Sequence, residues 1–224
     1  MTAPLLLSLR VALFSLLLVV ATGLPVAYFT ARRARRSRKP LEGLILLPLT
    51  LPPTVLGYYL LTLFSPDTAF GTAYRALFGS DLVFSWQGAV LAASLGSWPL
   101  FVRQAQTALQ AISHELEEVS WNLGATKWQT FRHVLLPLAL PGVLAGVGLA
   151  LARSLGDFGA TLMVAGSIPG RTQTLSLAIY EAVMSNDRAA AAWMSLVLAG
   201  IGASAAIFVV LLAGRRLETR PDAP

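Results

Sequence analysis

Five long apolar runs, separated by short polar stretches, set the plan of this chain. The first extends from Leu5 to Phe29, with Arg10 near its outer end, where a long side chain can snorkel to an interface. Its charge-free part, residues 11–29, approaches the ~20 residues that a bilayer requires. The second run, 43–64, carries Pro48, Pro52 and Pro53, which remove backbone donors and kink or break a helix. Lipid tolerates broken helix only where protein or water meets the freed carbonyls. That places Pro52, Pro53 and Thr54 toward the protein interior; a kink that merely helps packing is the plainer reading. A third run covers 82–109, with Trp86 at one interface and Trp98-Pro99 inside it. The fourth, 134–155, is glycine-rich, and Gly142-x-x-x-Gly146 permits close approach of another helix. The fifth is 189–213. Between the runs the pattern predicts an outer loop over 65–81 and an irregular segment over 156–188, and after them a charged tail over 214–224. Within the irregular segment, Gly166-Ser-Ile-Pro-Gly170 reads as a turn and Thr174 to Met184 as a short helix near the outer surface.

A polar island over 110–133 separates the third and fourth runs. Ser113 stands at an N-cap position, and Glu115, Glu117 and Glu118 bring negative charge to the positive end of a short helix. Leu116, Val119 and Leu123 recur at helical spacing on one face. Gly124 follows where that helix stops, as a residue free to take positive φ. Thr126 and Gln129 form a capping box for a second helix, whose apolar stripe is Trp128, Phe131 and Leu135. The island is thus an amphipathic helix, a glycine hinge, and a helix that continues into a membrane span. It lies on the membrane surface and offers a shaped face to something soluble; a helix merely resting on lipid headgroups is the plainer reading, disfavoured because the face is not cation-rich.

Charge then orients the runs. The chain is 55% hydrophobic and 12% charged, about half the charged share of a soluble domain. The net charge of +6 does not indicate nucleic acid, because six of the seventeen cations cluster at Arg32, Arg33, Arg35, Arg36, Arg38 and Lys39. That is where the positive-inside rule expects a cytoplasmic loop. Five spans then place the N-terminus outside, and the island and the C-terminus, with Arg215, Arg216 and Arg220, inside. The first run has no basic segment before it and no small-residue cleavage site after it, so it is expected to be retained. In the outer loop Asp67 and Asp81 stand against Arg75, and Arg103, Lys127 and Arg132 balance the island's glutamates.

Little in the chain supports catalysis. There is no cysteine, and His114 and His133 lack partners for a metal site. No phosphate-binding Gly-x-x-x-x-Gly-Lys-Ser/Thr loop occurs, so any ATP must be bound by another chain. The stretch from Ala152 to Thr161 carries the remaining intramembrane chemistry. Arg153 and Asp157 are spaced to pair on a helix. Ionisable groups at such depth suggest a pathway or an internal partner. Either the segment lines an outer gate, where Arg153, Ser154 and Thr161 meet an anion, or the pair only positions its helix.

The island also resembles the cytoplasmic signature of permease subunits of ATP-binding-cassette importers. That signature is Glu-Ala-Ala, three residues, Gly, nine residues, Ile, one residue, Leu-Pro. Here Glu118-Val119-Ser120, Gly124, Val134 and Leu136-Pro137 fit every spacing, with Val119, Ser120 and Val134 departing in type. Three more stretches, Leu51 to Gly57, Ser97 to Arg103 and Ile168 to Thr174, extend the likeness over most of the chain, most closely to molybdate permeases. The resemblance implies an all-α integral membrane protein of the MetI-like, type I importer fold, one transmembrane domain with a cytoplasmic coupling helix. It implies a multi-pass inner-membrane homodimer, two cytoplasmic ATPase subunits that bind ATP and magnesium, and an extracytoplasmic oxyanion-binding protein. Glu118, Val119, Leu123, Gly124, Ala125, Trp128 and Pro137 would meet the ATPase. Pro52, Pro53, Thr54, Ser97, Arg153, Ser154, Asp157 and Thr161 would line the gate or pathway. This chain would bind no cofactor itself. Tungstate and sulfate are alternative cargoes. An ion-coupled secondary transporter is a less fitting alternative, since such proteins show repeated halves and several midplane acids, and a membrane enzyme would need convergent polar residues that the sequence lacks.

Overall fold

A computed structural model describes residues 2–33 and 35–218. The described chain is helical almost throughout: α1 (Thr2–Ala31), α2 (Arg35–Thr50), α3 (Pro53–Leu63), α4 (Ala69–Phe78), α5 (Trp86–Gln110), α6 (His114–Asn122), α7 (Lys127–Thr130), α8 (Leu136–Leu155), α9 (Gly159–Ala165), α10 (Leu175–Met184) and α11 (Arg188–Glu218). A π-helical turn, Phe131–Leu135, joins α7 to α8.

The fold is built around α5. Ala89, Ala92, Phe101, Val102, Ala105 and Leu109 along it are fully buried. It packs against α1 on one side and α8 on another. Small residues set these approaches: a Cβ added at Gly142 of α8 would strike the Cβ of Ala108, and one at Gly23 of α1 would meet the Phe101 ring. The Gly142-x-x-x-Gly146 spacing therefore marks the contact of α8 with α5. Several polar groups of α5 are satisfied internally, while the buried Gln110 Nε2 finds no partner. Ser94 and Ser97 return their hydroxyls to the carbonyls of Val90 and Ala93 at 2.6 and 2.7 Å, and Gln106 donates to Glu42 at 3.1 Å.

Among the described residues, three helical stretches are long and apolar enough to cross a bilayer: α1, the continuous run Lys127–Leu155, and Arg188–Ala205 of α11. The pair α2–α3 adds a fourth if it counts as one crossing, but it is bent by 99° at Leu51-Pro52. The second apolar run is thus two helices joined at a sharp break. Pro52 and Pro53 remove the donors that would bridge the break, and Pro53 opens α3, where a missing N–H costs nothing. The third run starts later than its apolar pattern, at Trp86. Residues before it form a turn in which Phe84 takes φ 57°. The 65–81 segment is not a plain loop, because Thr68 caps α4 by accepting from the Gly71 N–H at 3.0 Å. The tail is helical through Glu218, and residues 219–224 lie outside the described part. The turn at Gly166 and Gly170, both at positive φ, and the short helix α10 match the expectation.

Because Gly142 meets backbone-proximal atoms of α5, Gly142→Val should overpack this seam and cost about 1–3 kcal/mol. Thermal unfolding of the detergent-solubilised protein would show it as a lowered midpoint. The same change at Gly200, where a Cβ meets nothing within 4 Å, should leave the midpoint unchanged.

Candidate docking face and polar hinge

The α6 end of the molecule is assembled from local rules. Ser113 sits at the N-cap of α6 in extended conformation, yet its side chain makes no capping bond, and Glu115 and Glu117 occupy the first turn. Gly124 takes φ +88°. The turn it allows is closed by the Gly124 N–H donating to Trp121 at 2.9 Å and the Ala125 N–H to Ser120 at 3.1 Å. The capping box then forms as expected, with Thr126 N–H donating to Gln129 Oε1 at 2.8 Å and Gln129 N–H to Thr126 Oγ1 at 3.3 Å. The hydroxyls of Ser120 and Thr130 share a hydrogen bond of 2.9 Å that ties α6 to α7. Pro137 cannot donate within its helix. The π-helical turn immediately before it widens the coil, with the Leu136 N–H reaching the Phe131 carbonyl.

This geometry leaves an apolar face without cover from the chain. Leu116, Val119 and Trp121 are exposed, Leu123 is 84% exposed and Trp128 66% exposed, its ring stacked on Phe131. Glu118 is also exposed, Ala125 half-buried, and Pro137 exposed. Glu117 is different: it is buried, with Oε1 2.8 Å from Arg32 Nε and 3.5 Å from His114 Nδ1. Grouping it with the surface glutamates was the plain sequence expectation, and a partner at the end of α1 gives no periodic signal. Arg103 likewise pairs with Glu42, at 3.1 Å, rather than with the island's acids.

A second constellation lies where α8 breaks into α9. Arg153 Nη1 donates to Asp157 Oδ1 at 3.0 Å. Asp157 Oδ2 accepts from the Thr161 N–H at 3.0 Å and the Thr161 hydroxyl at 2.6 Å, and its carbonyl accepts from Ser176 Oγ at 2.8 Å. Asp157 therefore caps α9 from just outside it and also neutralises Arg153. Its side chain is 1% exposed, that of Arg153 29%. Ser8, Ser154, Asp157, Thr161 and Thr174 surround a cavity of about 10 Å³, the size of one water. Ser154 and Ser97 return their hydroxyls to their own helices, at 2.9 and 2.7 Å, so neither holds out a free donor.

The structure brings two of the expected gate stretches together. A Cβ added at Gly159, the first residue of α9, would lie 3.1 Å from Pro53 and 3.4 Å from Thr54, at the start of α3. Pro52, Pro53 and Thr54 are nonetheless exposed, not turned into the interior of this chain. The 99° bend leaves the break at the surface of the single chain. The guanidinium of Arg153 lies against Gly96, next to Ser97, which adds α5 to the same neighbourhood. By contrast, a cleft of about 960 Å³ between α1, α2, Trp98 and Trp128 is lined mostly by apolar groups, with Arg33 and Lys127 as its cations.

Residues 23–220 match the binding-protein-dependent transport system inner membrane component family. The chain belongs to that family. It is 42% identical over 179 residues to the molybdenum transport system permease protein ModB of Haemophilus influenzae, covering 80% of this chain and 78% of that protein. Its fold is similar to the MetNI methionine ABC transporter in an inward-facing conformation, with a TM-score of 0.73 at 20% identity, covering 96% of this chain and 94% of that one. A bacterial alginate ABC transporter, solved in complex with an alginate-bound periplasmic protein, gives a TM-score of 0.70 at 18% identity, covering 99% and 80%. As a family member, this permease is a multi-pass inner-membrane transport component.

Removing the Asp157 carboxylate takes away the cap of α9 and the counter-charge of Arg153 together. Asp157→Ala should cost about 2 kcal/mol, read as a lowered unfolding midpoint. Asp157→Asn, which still accepts from Thr161, should lose less.

Proposed function

We propose that this chain is the membrane-spanning permease subunit of an ATP-driven importer that carries an oxyanion, most consistently molybdate, into the cell. The exposed apolar face of α6, presented beside the family's signature spacing, is the observation that carries this reading. A short rod with Leu116, Val119 and Leu123 uncovered needs a soluble partner, and the chain has no nucleotide-binding loop of its own. In this reading the partner is a cytoplasmic ATPase that holds the ATP and magnesium. Glu118, Val119, Leu123, Gly124, Ala125, Trp128 and Pro137 form or orient the docking face.

The whole chain acts as one transmembrane domain with five crossings: α1, the bent pair α2–α3, α5, α7–α8 and α11. At 25 residues α5 is roughly 37 Å long, enough to span, and it tolerates its polar residues because protein surrounds it. Two copies enclose the pathway, with the α3 and α9 starts at its gate. The N-terminus is outside, and α6 and the C-terminus are cytoplasmic. An extracytoplasmic protein delivers the anion, and two ATPases drive alternating access. Arg153 is neutralised by Asp157 and Ser97 and Ser154 are satisfied, so these groups shape the gate more than they grip the anion. Molybdate rather than tungstate or sulfate follows from the similarity to a molybdenum permease.

Reconstitution with its ATPase and binding protein tests the reading: radiolabelled molybdate should enter vesicles only with ATP, and unlabelled sulfate should compete less well than molybdate. Uptake that ignores ATP but follows an ion gradient would overturn it. Placing a charge on the docking face, as in Leu123→Asp, should cost about 2 kcal/mol of ATPase binding, visible as lost copurification. Gly124→Pro removes the turn's N–H and forbids φ +88°. Uptake should then fall roughly tenfold, with insertion into the membrane unchanged.

A further inference from the structure

The docking helix is joined covalently to the membrane helices only at its two ends: through Ala111 to Ser113 to α5, and through the Gly124 turn to α7 and α8. A rod held near its two turns, one of them braced by the Ser120–Thr130 hydrogen bond, can still rock about the line between them, and a push on it then dissipates. The structure supplies a third attachment off that line. Arg32, just past the end of α1, places its Nε 2.8 Å from Glu117 Oε1, with side-chain exposures of 12% and 3%. The same guanidinium donates through Nη1 to the Ile112 carbonyl at 3.4 Å, immediately before α6. One turn earlier, Tyr28 meets Phe131 of the π-helical turn edge-on, centroids 4.9 Å apart. The end of α1 therefore grips the residues leading into α6, the middle of α6, and the turn that follows α7.

The faces of α6 are divided accordingly. Glu117 points to α1, while Leu116, Val119 and Leu123 remain uncovered. The pair is sequestered; His114 reaches Glu117 at 3.5 Å, and Tyr28 lies close enough to feel both charges of the pair. A partly desolvated pair keeps its geometry far better than an exposed one, because solvent and salt screen it less. Removing either charge leaves the other stranded.

We propose that Arg32 and Glu117 are positioning residues for coupling: they lock α1 to the docking helix, so that force applied to α6 moves α1, α5 and α8 as one body. The proposal rests on the importer reading above. It goes beyond that reading by assigning a role to a pair outside the docking signature and by adding α1 to the moving unit.

The test uses the complete complex with its ATPase and binding protein in vesicles, with ATP hydrolysed and molybdate taken up measured in the same sample. Arg32→Gln and Glu117→Gln should still copurify with the ATPase, while ATP consumed per anion rises about tenfold. The exchange Arg32→Glu with Glu117→Arg should recover most of the coupling. If the single variants fail to assemble, the double Arg32→Gln/Glu117→Gln, which strands no charge, is read in the same way. Single or double neutral variants with the unaltered stoichiometry would overturn the proposal, as would an exchange no better than the singles. A wild-type complex without ATP-dependent uptake would instead overturn the importer reading, and the proposal with it.

Discussion

Backbone groups inside a bilayer must find their partners within the protein, because the lipid offers none. The long helices meet this demand on their own, but this chain also breaks helix twice in its apolar regions, at Leu51-Pro52 and at Gly156 to Phe158. The second break is bridged by its neighbours. At the second, Asp157 accepts from the Thr161 N–H at the start of α9 and holds Arg153, while Ser176 reaches back to its carbonyl. At the first, the Pro52 carbonyl accepts from both Val55 and Leu56, which starts α3 without any donor from the prolines. The two breaks then meet, since Gly159 lies under Pro53 and Thr54.

Around those breaks the packing is set by small residues. Gly23 and Gly142 let α1 and α8 close onto α5, so that α5 becomes the enclosed axis and can carry Ser94, Ser97 and Gln106 at little cost. The break segments at Pro52 to Thr54 and at Asp157 lie apart from the cleft beside α1.

Much of the α6 region was legible in the sequence because it rests on near-neighbour chemistry. The Thr126–Gln129 box, the positive φ of Gly124 and the stripe of Leu116, Val119 and Leu123 all concern residues within a turn or two of each other. The same holds for Arg153 and Asp157, four positions apart. Hydropathy was a weaker guide: it showed one run over 43–64 where the chain turns through 99°, and it gave no sign of α4 inside an outer loop.

By itself, then, the sequence determined the helical class, the membrane setting, the position of α6 with its Gly124 stop, and the Thr126–Gln129 box that follows, since periodicity and capping depend only on residues close along the chain. Only the tertiary structure decided that Glu117 leaves the polar face to meet Arg32, that Arg103 turns to Glu42, and that Asp157 caps α9 while Pro53 rests against Gly159. These are contacts between surfaces brought together by packing. Their energy depends on distance and burial in space, and no periodic pattern records them.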